Sequence, residues 1–61
     1  MSEHVDEERR RLIFLNLVEK QDAGASVEQS RQKVCEDFDI PTAELLWIEQ
    51  QGRLNQWPPL A

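Results

Sequence analysis

The sequence is short of the residues from which most sites and staples are made. Among its 61 residues there is one cysteine, Cys35, and one histidine, His4. A lone cysteine excludes an intramolecular disulfide, and nothing in the pattern points to an oxidising compartment. One histidine at the very start and one cysteine expected in the core do not supply the converging donors a metal needs. Without a histidine or cationic neighbour, Cys35 has no evident route to a reactive thiolate. The carboxylates are many, but their spacing is that of solvated helix faces. No metal, cofactor or catalytic residue is expected, and the chain does not read as an enzyme.

Long apolar runs are missing too. The longest is Leu12-Ile13-Phe14-Leu15, far short of the roughly 20 residues a membrane span needs. The N-terminus is acidic where a secretory signal would be basic, so the cytoplasm is the expected compartment. Basic residues are scarce: seven stand against twelve acids, for a net charge of −5. That balance disfavours non-specific attraction to DNA, RNA or anionic membranes, and it also serves simple solubility. A chain of this length makes one domain, 1–61, and buries only about 60% of the surface its unfolded form exposes. Its stability margin is thin.

What is present is helix. From Val5 the residues are good or fair helix formers, with acids first (Asp6, Glu7, Glu8) and Lys20 near the end, the order the helix dipole favours. Residues 1–4 read as a polar, frayed start. Gly24 is placed to take a left-handed backbone and stop the first helix, expected over 5–22. Ser26-Val27-Glu28-Gln29 fits a capping box opening a second helix that ends near Asp37 and buries Val34 and Phe38. Pro41 suits a helix start, and a third helix runs from Thr42 to Gln51, with Gly52 leaving open an extension to Asn55 or Gln56. Pro58-Pro59 ends regular helix and biases Trp57 toward extended backbone. No strand alternation or internal repeat is present. The expected fold is an all-α three-helix bundle with a short extended tail, 57–61.

Cys35, Phe38, Asp39, Ile40, Leu45 and Ile48 follow a familiar order: a small residue, an apolar one three later, a turn position, and apolar residues after it. From Val34 to Gly52 the chain resembles the helix-turn-helix superfamily. Only a small residue permits the close, steep approach of two helices that such a turn creates. The usual glycine at the turn is replaced by Asp39, which enters left-handed backbone more readily than most residues. The resemblance implies DNA binding through helix 3 as an alternative function, with Gln50, Gln51 and Arg53 reaching bases or phosphate. The early outward positions Thr42, Ala43, Leu46 and Trp47 are poor partners for DNA, and Glu44 and Glu49 lie nearby.

Leu45, Leu46, Trp47 and Ile48 are consecutive, about 100° apart around a helix, so one face cannot bury them all. If Leu45 and Ile48 face inward, Leu46 and Trp47 point elsewhere. Either the tail folds over them, with Trp57, Pro58 and Leu60 as a lid, or they form a patch for a protein partner, a second copy included. The expected contact surface is Leu46, Trp47, Gln50 and Trp57, with Arg53 at its rim. The tail Trp57-Pro58-Pro59-Leu60 reads either as a docked segment completing the core or as a short extended ligand. Helix 1 raises the same question, since Ile13 or Leu17 could line a groove or dimer seam, or the helix could simply be central. Arg9-Arg10-Arg11 could touch phosphate or lie on a solvated face neutralised by Asp6, Glu7 and Glu8.

Overall fold

A computed structural model of the chain describes residues 7–58. Three helices follow in order, α1 (Glu7–Asp22), α2 (Val27–Phe38) and α3 (Thr42–Asn55), and each packs on both others. The fold is a three-helix bundle. The expected helix start at Val5, the frayed residues 1–4 and the tail beyond Pro58 lie outside the described residues.

The helix boundaries follow from local chemistry. Ser26 accepts a hydrogen bond from the Gln29 N–H at 3.0 Å, and the Ser26 N–H donates to Gln29 Oε1 at 3.3 Å. Both halves of the capping box are present. Pro41 precedes α3 in extended backbone, its carbonyl accepting from the Glu44 and Leu45 N–H groups, with no side-chain cap. All three helices end by turning left-handed. Gly24 (φ 109°), Asp39 (φ 55°) and Gln56 (φ 51°) occupy that region, and the next residue in each case donates its N–H back into the last turn: Ala25 to Lys20 O, Ile40 to Cys35 O, Trp57 to Gly52 O. These reverse bonds satisfy carbonyls the helices would otherwise leave unpaired. Gln56 has no glycine-like excuse for its conformation, which costs about 1–2 kcal/mol; the docking of Trp57 described below offsets it.

The core is Ile13, Phe14, Leu17, Val34, Leu45, Ile48 and Trp57, with Val18, Cys35, Phe38 and Ile40 packed partly against it. Helix α1 is therefore central. Ile13 and Leu17 are buried rather than set in a groove or seam, and Leu12 is the large apolar residue of α1 that is exposed. Phe38 corrects an expectation. It is only half-buried, because it ends α2, where Arg9 lays its guanidinium 5.5 Å from the ring centroid and donates to the Phe38 carbonyl at 3.2 Å.

Helix α3 continues through Gly52 because only glycine fits there. A Cβ at this position would overlap the Cγ, Cδ1 and Cε1 atoms of the buried Phe14 ring. Gly52→Ala gains about 1 kcal/mol of helix propensity, but the displaced ring overpacks the core. We expect a net loss of about 2 kcal/mol in urea unfolding. A stabilised variant would mean that Phe14 has room to retreat.

Candidate interaction surface

Helix α3 is apolar on two opposite faces. Leu45, Ile48 and Gly52 lie inward. The 3.6-residue period then turns Ala43, Leu46, Trp47, Gln50, Arg53 and Leu54 outward, and all six are exposed. Leu46 is 44% exposed, Trp47 43% and Leu54 72%. A helix apolar all round is normally covered on both sides, and here the described residues cover only one.

The residues expected to form a contact surface divide. Leu46, Trp47, Gln50 and Arg53 come together on this outer face. Trp57 does not join them. It is 4% exposed and packs edge-on against Phe14, with ring centroids 6.1 Å apart and planes at 79°. The left-handed turn at Gln56 reverses the chain at the end of α3 and directs Trp57 inward, toward α1 and away from Leu46 and Trp47. The chain through Trp57 thus completes the core, and Trp57 is no lid over the patch; Leu60 lies outside the described residues.

Leu54 takes the place that Trp57 was expected to fill. It sits four residues after Gln50 and eight after Leu46, a spacing visible once α3 is carried past Gly52. With the helix end left open between Gln51 and Gln56, the sequence alone does not assign it to this face.

Beside the apolar ridge lies a buried carboxylate. Glu49 is 2% exposed, and its position between Leu45, Ile48 and Gly52 on the inward stripe accounts for that. Arg31 of α2 holds it with two bonds, Nε to Oε2 at 2.7 Å and Nη2 to Oε1 at 3.1 Å. Arg53 adds one from Nη2 to Oε1 at 3.2 Å. The hydrogen bonding to Glu49 raises the Arg31 pKa above its ordinary value, outweighing the partial burial that opposes it, so the guanidinium stays charged wherever the protein folds. Both arginines next to the exposed ridge are thereby engaged. Glu44 is half-buried, so the outer face of α3 carries one cation, Arg53, and no carboxylate.

The arginine run of α1 is structural as well. Arg11 pairs with Glu7 at 2.6 Å in an i,i+4 ion pair, as one of the two readings required; Asp6 lies outside the described residues. The three guanidiniums also rest over three rings from three segments: Arg9 over Phe38, Arg10 over Trp47 at 5.2 Å and Arg11 over Trp57 at 5.8 Å. Each such contact is worth about 0.5–1 kcal/mol at an exposed site, and together they tie α1 to α2, α3 and the chain after it. Arg10 fixes the orientation of Trp47 while leaving much of its surface outward.

Among the described residues no three His, Cys, Asp or Glu side chains converge as a metal site would require, and no helix is long and apolar enough to cross a membrane. No protein-family model matches the chain, and neither a curated protein nor a solved structure matches it, so the reading of this surface rests on its own chemistry.

Proposed function

We propose that this protein is a small cytoplasmic interaction module, an adaptor, inhibitor or regulator rather than a catalyst, which binds a protein partner through the outer face of α3. The observation that carries the reading is the contiguous exposure of Leu46, Trp47 and Leu54 on the side of α3 opposite the core. Apolar ridges with an aromatic anchor supply most of the energy of protein interfaces. Gln50 within the ridge and Arg53 at its rim would give direction to binding. The acidic remainder of the molecule favours a basic or neutral partner and slows encounters with nucleic acid.

The helix-turn-helix alternative, with α3 reading DNA, fares less well on the same residues. Phosphate contacts need cations available at the surface. Arg31 is held by two bonds to the buried Glu49, which leaves the mostly solvated Arg53 as the one cation on the outer face of α3 that could meet a phosphate.

Site-specific photo-crosslinking tests the proposal. Benzoylphenylalanine in place of Leu46, on the ridge, and in place of Gln32, exposed on α2, would be irradiated in living cells. Protein adducts from position 46 and none from position 32 are expected. Adducts to nucleic acid alone, or no adduct from position 46, would overturn the reading.

A further inference from the structure

We infer that the partner this face fits best is a second copy of the same chain, joined through an antiparallel pairing of the two α3 helices about a two-fold axis beside Gln50. The inference rests on the interaction reading above and names the partner. Its basis is a symmetry in the exposed residues. Counted from Gln50, leucine stands four residues before (Leu46) and four after (Leu54), with Trp47 three before and Arg53 three after.

In an antiparallel pair each residue lies level with its mirror position in the count. Leu54 of the second copy would seat between Leu46 and Trp47, and Arg53 of the second copy would lay its aliphatic stem along Leu46. Gln50 meets itself. A primary amide is donor and acceptor at once, so two of them can exchange hydrogen bonds across the axis, which an acid or an amine could not do with its own kind.

Charge permits such a pairing at one face, although the acidic remainder by itself favours a basic partner. A protein of net charge −5 repels its own copies over most of its surface, and an interface between copies needs a face without carboxylates. The outer face of α3 is such a face. Its one cation, Arg53, lies three residues from Gln50 and is bonded to Glu49 at 3.2 Å, which moderates the repulsion between the two copies' arginines. Leu46, Gln50 and Leu54 also form a single ridge of i, i+4, i+8 spacing, the kind that interdigitates in helix packing. One helix pair buries less than the roughly 1,600 Å2 of a standard interface, so a weak dimer, with dissociation in the micromolar range, is expected.

Sedimentation equilibrium of the full chain from about 10 µM to about 1 mM brackets that range. Wild type should pass from monomer to dimer. Gln50→Glu and Gln50→Lys, checked for unchanged helicity by circular dichroism, should each weaken dimerisation about tenfold or more by placing like charges on the axis. Their equimolar mixture should recover a heterodimer at least as tight as wild type. A wild-type chain that stays monomeric throughout overturns the inference, as does a dimer indifferent to both substitutions. Protein adducts from position 46 that contain a different chain would, in that event, leave the broader interaction reading standing.

Discussion

Trp57→Ala is expected to unfold the bundle or bring it to the edge of unfolding at room temperature. Among the described residues Trp57 is one of seven buried apolar side chains and the only one of them outside the three helices. Its ring meets the edge of Phe14 and lies under Arg11, and its N–H donates to the Gly52 carbonyl at 2.9 Å. Truncating a buried tryptophan costs about 3–5 kcal/mol. A chain of this length has a total stability of only about 3–9 kcal/mol at the usual 0.05–0.15 kcal/mol per residue. The loss is therefore comparable to everything the fold has. Thermal unfolding followed by circular dichroism should show a collapsed or absent transition for Trp57→Ala and a partial recovery for Trp57→Phe, which keeps a ring against Phe14. A near-native melt for the alanine variant would mean the segment after α3 is dispensable and the core is made by the helices alone.

Arg31→Ala is the second large effect, and its size depends on what is done to Glu49. Removing Arg31 alone leaves a carboxylate at 2% exposure with the single bond from Arg53. Breaking a buried pair on one side costs about 3–5 kcal/mol. Arg31 is itself one-third exposed, so water can partly replace it, and about 2–3 kcal/mol is the expected loss in urea unfolding. Arg53→Ala should cost far less, about 0.5 kcal/mol, since that guanidinium is mostly solvated and its bond is a helical i,i+4 contact. Replacing Arg31 by methionine and Glu49 by leucine together should recover most of the loss, because the desolvation of both charges disappears with them. A double-mutant cycle reads the coupling directly. An Arg31→Ala variant as stable as wild type would show that Glu49 finds water, and that the cluster is a surface feature.

The two effects bear on the candidate surface from the core beneath α3 and from its flank. Trp57 supports the helix from beneath without being part of the face it was expected to join. The Arg31–Glu49–Arg53 cluster leaves one net positive charge, shared over two arginines, on the flank of that face beside its apolar ridge.

Much of this was legible locally. The end of α1 at Gly24, the capping box at Ser26 and the left-handed turn at Asp39 are written in residues whose backbone preferences act within four or five positions. So was the exposure of Leu46 and Trp47, which follows from the angle between consecutive helix residues once Leu45 and Ile48 are inward. The extent of α3 was not. Gly52 looks like a stop when its intrinsic propensity is considered, and its true role, making room for Phe14, involves a residue 38 positions away. With the end of the helix left open between Gln51 and Gln56, Leu54 could not be assigned to the outer face.

The sequence by itself determined three helices, the turns at Gly24 and Asp39, the cap at Ser26 and the two-sided apolar character of α3, because these depend on period and on hydrogen bonds between near neighbours. Only the tertiary structure decided which tryptophan is core and which is surface. Trp47 is held outward by helix phase, with Arg10 across it, whereas Trp57 follows a left-handed residue whose direction no period describes. The same holds for Glu49, a charge on a buried stripe that is tolerable only because Arg31, on another helix, reaches it.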